Sequence, residues 1–598
     1  MKVKSINKKW KLEKPMTFLD VLLFFIVAVI CFFTFEHSDI LHTAGSSFGY
    51  LNGHFLDFYE YNAEFGLYDS YMPITYLTFA LWNIPLRLFG IVTEPTQVVP
   101  VFVVMWYKLL PVLLYFLSGW IVYKIALEIN MGRKKAKICA YAYLTMPIGF
   151  FSQFIFGQYD IFTLFCMLLG YYYYLKGKNK YFILFFALAI PYKYFALLLF
   201  IPLLLLKEKN IWKILKSIIL VGIPYLLQYL LYYNSEVFKE YVLGFGVTGY
   251  AFAAGLDTGA ATISYVIVVW LLIAAWSYFE SPNQKAGVIK WSLFLLGMVG
   301  FCIFGLSQWH PQWLLLIVPF LVLSAFLNQN TKIFMIIDIL WMLFFVLFTV
   351  NYWYGRVDEN LILYGVLGEK FGSGISYKTT MRDILILKDM NLINSAFTFL
   401  LLVSAVFKHP KFCVKEFSQK VDDCMGWIRT RFLGGLAIFL VPAFLCFITA
   451  LTPPFMTFKT EKPYEHISGM INRKVSQVFI PQKGVVEKIE FMLGTFRRSN
   501  DITLNIDVVD KETERLVYHE ELNMKEYDRD TWITLETGGL CLKPKKEYRI
   551  DFSCYDATGD NCITLFRTQD RKNQKNGYVI EGGEILPYNL CIRIIETN

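Results

Sequence analysis

Long apolar runs that alternate with short clusters of lysine constrain the fold of this sequence more than any other feature. A run of about 20 apolar residues can cross the hydrocarbon core of a bilayer as a helix, and 56% of the 598 residues are hydrophobic against 18% charged. The net charge of +9 comes from lysines at the ends of these runs, where a basic excess is typical of cytoplasmic loops. The sequence therefore predicts an α-helical polytopic membrane protein with no nucleic-acid partner.

The lysine clusters also predict the direction in which the chain crosses the cell membrane. Six lysines precede the first apolar run, 16–35, which places the N-terminus in the cytoplasm and the acidic segment 36–73 outside. Residues 74–90 contain Pro85 and Arg87, and we expect them to form an amphipathic helix along the outer surface. Further crossings are expected at 98–127, 136–156, 161–175, 211–232, 258–279, 288–306, 311–327, 332–352, 392–407 and 432–452.

One apolar segment, 181–206, does not fit a simple crossing. It lies between two lysine clusters, is interrupted by Pro191, and is too short to cross twice. We predict a re-entrant pair of half-helices with Lys193 at its tip, because irregular backbone is tolerated at membrane depth only where it lines a cavity. With about eleven crossings and this hairpin, the C-terminus is expected outside the cell. Two outer loops, near 234–257 and 354–389, are long enough to cover a site on that side.

After residue 453 the pattern changes to short segments in which apolar and polar residues alternate, as in half-buried strands. Leu504, Ile506 and Val508 are one such series. We therefore divide the chain into a transmembrane module, 1–453, and an extracytoplasmic, jelly-roll-like β-sandwich, 454–598.

Four polar residues beside apolar segments are candidates for function: Asp39, Asp160 in the GQYD tetrad, Lys193, and His310 in SQWHPQW. An ionised group at membrane depth costs roughly 2.5–3.5 kcal/mol even on a lenient scale, and such groups usually mark function. Structural roles are also open: a helix N-cap for Asp160, an interfacial lysine, and an aromatic belt around His310. Together, an outer carboxylate and a lysine in an apolar cavity suit proton removal from a hydroxyl and neutralisation of a lipid-linked phosphate.

The order of these motifs resembles the GT-C glycosyltransferases over about residues 16–330. The motifs are SDI at 38–40, LNG at 51–53, the Pro-led segment YMPITYLTFALWNIPLRLFG, GQYD after the basic GRKKAK, and a lysine in the next apolar segment. The pattern is most similar to bacterial mannosyltransferase-like and aminoarabinose-transferase-like members.

The resemblance implies transfer of a sugar from a polyprenyl-phosphate donor to a cell-surface glycan or lipid acceptor, within the membrane lipid and on the extracytoplasmic face. It implies that Asp39 is the catalytic base. Asp57 is kept as the alternate, because Asp39 lies about three residues beyond the first apolar run whereas Asp57 follows the Gly53 turn. The donor- or acceptor-binding residues that it implies are Gln158, Asp160, Lys193, His310 and Gln312. It leaves open whether a divalent cation acts at Asp160, because the first position has Asp39-Ile40 where several members have an acidic pair.

Two other functions are compatible with this topology. A polysaccharide polymerase or ligase is expected to depend on outer arginines, and the outer loops contain few of them. A lipid-linked sugar transporter, or flippase, is expected to have broken helices in both halves of the chain, and the sequence indicates one broken segment.

Overall fold

A computed structural model of the chain shows two compact units, a mostly helical unit through Phe447 and a β unit from Ile448. The structure describes residues 18–34, 38–97, 99–244, 249, 253–259, 261–307, 309–352, 390–418, 424–450, 455–460, 465–467, 469–496, 498–559, 561–568, 577–586 and 588–597. The loop expected at 354–389 lies outside the described residues.

The first unit is built from helices that follow the apolar runs of the sequence. In chain order they are α1 (Phe18–Thr34), α2 (Ser38–Ser46), α3 (Phe48–Leu51), α4 (Phe58–Glu64), α5 (Pro73–Leu88), α6 (Val101–Glu128), α7 (Arg133–Leu144), α8 (Pro147–Gly149), α9 (Asp160–Leu175), α10 (Asn179–Tyr192), α11 (Phe195–Lys207), α12 (Ile211–Leu231), α13 (Tyr265–Phe279), α14 (Lys285–Gly305), α15 (Val318–Leu327), α16 (Thr331–Tyr352), α17 (Met390–Val406) and α18 (Met425–Ala450). Within the described ranges, four helices are long and apolar enough to cross a membrane, namely α6, α12, α14 and α16. These four helices indicate that the chain associates with a membrane.

Two of the expected crossings contain breaks at proline. The run 136–156 is divided into α7, α8 and a π-helical turn, Phe150–Ile155, and the run 311–327 into a 3-10 helix, Pro311–Leu316, and α15. A proline lacks the amide donor and disfavours helical geometry in the residue before it. Pro147 and Pro311 accordingly begin new segments, so the expectation of one broken segment is wrong.

Two other expected crossings differ from the structure at their first residues. The run 258–279 begins with the second half of a hairpin, formed by β1 (Gly255–Asp257) and β2 (Thr262–Ser264), so that helix α13 starts only at Tyr265. The tight turn uses Gly259, whose φ of +79° suits glycine. Helix α18 begins at Met425, before the expected residue 432, because the mixed apolar and basic residues MGWIRTR, 425–431, form its first turns.

The segment around Lys193 is a pair of helices with a break, as the sequence predicts. Helix α10 ends at Tyr192, Lys193 is extended with φ −155° and ψ 118°, and α11 begins at Phe195. Pro191 lies in the last turn of α10, where a helix tolerates it only at the cost of a backbone hydrogen bond. The break carries the Lys193 side chain to the first turn of α9.

The second unit contains the strands that alternation predicted, together with shorter ones. They are β3 (Phe455–Thr460), β4 (Glu465–His466), β5 (Arg473–Phe479), β6 (Val485–Gly494), β7 (Thr503–Asp510), β8 (Arg515–Asn523), β9 (Thr531–Cys541), β10 (Tyr548–Cys554), β11 (Thr564–Thr568), β12 (Gly577–Glu581), β13 (Glu584–Leu586), β14 (Asn589–Leu590) and β15 (Ile592–Thr597). All the pairings between these strands are antiparallel.

These strands form two sheets that share one hydrophobic core. The first sheet has the order β13-β12-β5-β10-β7-β8, and the second has β14-β11-β6-β15-β3 with β4 beside β11 and β9 beside β6. Phe491 of β6 meets Phe552 of β10 edge to face, with ring centroids 5.0 Å apart, and so joins the two sheets. Leu504, Ile506 and Val508 are fully buried in this core, which confirms the alternation of β7.

Candidate functional site

The GQYD tetrad, 157–160, forms a turn that packs against helix α2. Gly157 has φ +66°, and a Cβ atom there would lie 3.1 Å from Cβ of Ile40. Glycine is therefore needed both for the backbone conformation and for the close approach to α2. The approach allows the Gln158 side-chain amide to donate a hydrogen bond of 2.6 Å to Oδ2 of Asp39.

The last residue of the tetrad forms a buried ion pair. Asp160 is the first residue of α9, and the ammonium of Lys193 donates to its Oδ1 at 2.6 Å. The Asp160 side chain is fully buried and that of Lys193 is 9% exposed. Burial of either charge alone would be costly, so each stabilises the other in this position. Within the described residues, Oδ2 of Asp160 is buried and accepts no hydrogen bond.

Aromatic rings surround the ammonium of Lys193. Its Nζ lies 4.5 Å from the ring centroid of Trp313 and 5.3 Å from that of Tyr159, both distances at which a ring attracts a cation. An ammonium has three N–H donors, and the contact with Asp160 uses one of them. Among the residues that the structure describes, Lys193 therefore keeps donors for an anionic ligand.

The segment with His310 and Gln312 reaches this cluster through its tryptophan. His310 precedes the 3-10 helix Pro311–Leu316, and its ring centroid lies 4.8 Å from that of Trp313. Gln312 is buried, and among the described residues its Oε1 has no hydrogen-bond donor. The Trp313 ring thus lies beside both His310 and the ammonium of Lys193.

Asp39 and Asp57, the two candidates for a base, lie in different surroundings. The Asp39 side chain is partly buried, bonded to Gln158, and close enough for its charge to act on Asp160 and Lys193. The Asp57 side chain is 60% exposed and lies 2.8 Å from Nδ1 of His54. That hydrogen bond lowers the pKa of Asp57 below its ordinary value. The structure therefore brings Asp39 to Asp160 and Lys193, and pairs Asp57 with a surface histidine.

A second buried carboxylate, Asp69, completes the acidic segment and was not singled out from the sequence. Its Oδ1 accepts from Ser46 Oγ at 2.6 Å and lies 3.0 Å from His42 Nε2, while Oδ2 accepts from Asn62 Nδ2 at 2.6 Å. Burial alone would lower the pKa of His42, but its hydrogen bond to Asp69 and the charges of Asp69 and Asp39 raise it above its ordinary value. The sequence signal was the spacing of Asp39, His42 and Ser46, which places all three on one face of α2.

The donor set does not fit a divalent cation held by the protein alone. In the ranges that the structure describes, no group of three or more His, Cys, Asp or Glu side chains is arranged to hold a metal ion. The Asp160 carboxylate, which the family resemblance associates with a cation, is neutralised by Lys193. Asp160 is therefore paired with an ammonium and is not free to bind a metal ion in this arrangement.

The geometry supplies three chemical elements within one cluster. Asp39 is a partly exposed carboxylate that can accept a proton, and Lys193 is a buried cation that can bind an anion. Oδ2 of Asp160, which has no hydrogen-bond partner among the described residues, can accept a hydrogen bond from a hydroxyl. Comparison with known proteins adds no assignment: no protein-family model matches the sequence, and no curated protein matches it with significant similarity.

Proposed function

We propose that the chain is a membrane glycosyltransferase of the GT-C type that moves a sugar from a polyprenyl-phosphate donor to a cell-surface glycan or lipid acceptor. The observation that carries this proposal is the contact between Asp39 and the GQYD turn, which brings a carboxylate to the Asp160–Lys193 pair. A proton acceptor beside a buried cation suits a reaction in which a hydroxyl loses a proton while a phosphate leaves.

Each of the clustered residues has a part in this mechanism. Asp39 accepts the proton as the acceptor oxygen attacks the anomeric carbon of the sugar, and the Gln158 amide holds the carboxylate in position. Lys193 uses its remaining N–H donors to hydrogen-bond the phosphate oxygens, which gain negative charge as the bond from the anomeric carbon to the phosphate oxygen breaks. The buried Asp160 orients Lys193, and its second oxygen is available to a sugar or acceptor hydroxyl. His310, Trp313 and Gln312 are the proposed contacts to the sugar, because the Trp313 ring lies beside both Lys193 and His310.

The membrane arrangement belongs to the same proposal. About eleven crossings, with the pair α10–α11 as a re-entrant hairpin, would leave the N-terminus in the cytoplasm and the C-terminal unit outside. The four long apolar helices and the shorter apolar helices around them support this arrangement. The two antiparallel sheets with one shared core support a jelly-roll-like sandwich for the C-terminal unit.

The test compares two isosteric replacements in the same acidic segment, Asp39→Asn and Asp57→Asn. Purified variants in lipid vesicles are given a panel of radiolabelled polyprenyl-phosphate hexoses and a crude cell-envelope acceptor fraction, and the transferred label is measured. We expect Asp39→Asn to lose about 10²–10⁴-fold in rate, the usual contribution of a general base. We expect Asp57→Asn to keep the wild-type rate, because its carboxylate contacts a surface histidine. An active Asp39→Asn variant with an inactive Asp57→Asn variant would reverse the assignment.

A further inference from the structure

A histidine beside Asp39, His42, has the geometry of a proton-transfer group. His42 follows Asp39 by three residues in α2, so their Cβ atoms are about 5–6 Å apart on one face of the helix. That separation is spanned by a direct hydrogen bond or by one water molecule. The electrostatic effect of Asp39 on His42 agrees with this placement.

Asp69 fixes which nitrogen of His42 carries the proton. An ionised carboxylate only accepts hydrogen bonds, so Nε2 of His42, 3.0 Å from Oδ1 of Asp69, is the protonated nitrogen. Nδ1 is then the basic nitrogen of the neutral ring. A carboxylate that orients a histidine in this way also stabilises the imidazolium that forms when Nδ1 takes up a proton.

In the pair Asp69–His42, the carboxylate is buried and held by other hydrogen bonds, whereas the histidine is partly exposed. Asp69 is fully buried and is already held by Ser46 and Asn62, whereas the His42 side chain is 41% exposed. His42 therefore contacts a buried anion while part of its own side chain stays exposed.

Of the charged groups around His42, the carboxylates of Asp69 and Asp39 have the dominant electrostatic effect on it. Helices α3, α5 and α6 pack on α2. The titratable residues of these helices are Tyr50, Tyr76, Arg87, Tyr107, Lys108, Tyr115, Tyr123, Lys124 and Glu128. Arg87 donates to Asn52 and Lys108 to the carbonyl of Phe32, while the charges that act on His42 are those of Asp69 and Asp39.

We propose that His42, oriented by Asp69, is the proton-relay residue of the site and returns Asp39 to its ionised form after each transfer. The inference rests on the proposed transferase function. Asp39 takes the proton when the acceptor O–H bond breaks, the acceptor oxygen bonds to the anomeric carbon, and polyprenyl phosphate leaves with the electron pair of the broken C–O bond. The proton then passes from the Asp39 carboxyl to Nδ1 of His42, and from the imidazolium to water.

The test measures kcat against pH for wild type, His42→Gln and Asp69→Asn, with His54→Gln as the matched control. His54 also pairs with an aspartate in the same segment, but that aspartate, Asp57, is 60% exposed. We expect His42→Gln to lower kcat by about 100-fold, within the range for proton transfer by a positioned side chain, and added imidazole to restore part of it. The wild-type rate should fall at acidic pH as His42 becomes protonated, and Asp69→Asn should move that fall to lower pH because the raising charge is removed.

The outcomes separate the relay from the transferase. If wild type transfers sugar and Asp39→Asn does not, an unchanged rate and pH profile in His42→Gln would overturn the relay alone. If His42→Gln does not fold, the pH profile of Asp69→Asn decides. A fall of kcat at the same acidic pH as in wild type would overturn the relay. If wild type transfers no sugar from any polyprenyl-phosphate hexose of the panel, both proposals are overturned. His54→Gln is expected to retain the wild-type rate, and a loss equal to that of His42→Gln would also contradict the relay.

Discussion

Replacement of Lys193 by methionine, alone and together with Asp160→Asn, tests whether the two residues form a buried ion pair. Two unit charges 2.6 Å apart attract by about 6 kcal/mol at an effective dielectric constant of about 20. The cost of removing both ions from water cancels much of this attraction, and loss of one partner from a buried pair typically costs about 3–5 kcal/mol. We expect that cost for Lys193→Met, because it leaves the Asp160 carboxylate buried without its cation.

The double variant should recover a large part of the lost stability, since neither charge remains to be buried. We expect a coupling energy of about 2–3 kcal/mol between the two positions. The measurement is the free energy of unfolding in mixed detergent micelles as the denaturing detergent is increased, followed by tryptophan fluorescence. Lys285→Met is the matched control, because Lys285 pairs with Glu128 at 2.7 Å with its side chain 54% exposed, and it should cost less than about 1 kcal/mol. Additive losses in the double variant would refute the ion pair.

Two further substitutions test the turn and the β unit. Gly157→Ala should lower the free energy of unfolding by at least the roughly 1–2 kcal/mol of a left-handed non-glycine residue, and it should also lower the transfer rate, since the added Cβ would press on Ile40. Gly177→Ala is the control: its φ is +69° and the space around it is open, so it should lose only the backbone contribution. Equal thermal shifts in the two variants would contradict this reasoning. Leu504→Ala should lower the unfolding free energy of the β unit in the full-length protein by about 2–5 kcal/mol, because Leu504 is fully buried. Leu516→Ala, on the neighbouring strand and 51% exposed, should cost much less, and similar losses would show that this core is assigned wrongly.

The parts of the structure that the sequence predicted are those in which a local pattern fixes the answer. Alternation placed Leu504 and its neighbours on the buried face of β7 because the side-chain period of a strand is two. The lysine clusters around 181–206 required a break, and Lys193 lies at it. Ionisable groups in apolar segments are usually paired, and Asp160 and Lys193 accordingly form an ion pair. The sequence position of neither residue identified the other as its partner.

The parts that the sequence did not predict depend on contacts between distant residues. Asp69 reads as one acid among several in a polar segment, and its burial follows from donors on Ser46 and Asn62 that only the fold brings together. The breaks at Pro147 and Pro311 lie inside continuous apolar runs, where hydrophobicity alone predicts one helix. The contact between Asp39 and Gln158 spans 119 residues of sequence and depends on the missing side chain of Gly157.

The most direct test of the central claim reconstitutes the wild-type protein in vesicles with a radiolabelled polyprenyl-phosphate hexose and an acceptor fraction, and follows the chemical form of the label. A transferase with Asp39 as its base converts the donor to unlabelled polyprenyl phosphate and a labelled glycoside. The Asp39→Asn variant should leave the donor intact under the same conditions. Label that stays on the polyprenyl phosphate and changes only its leaflet would identify transport and contradict the account.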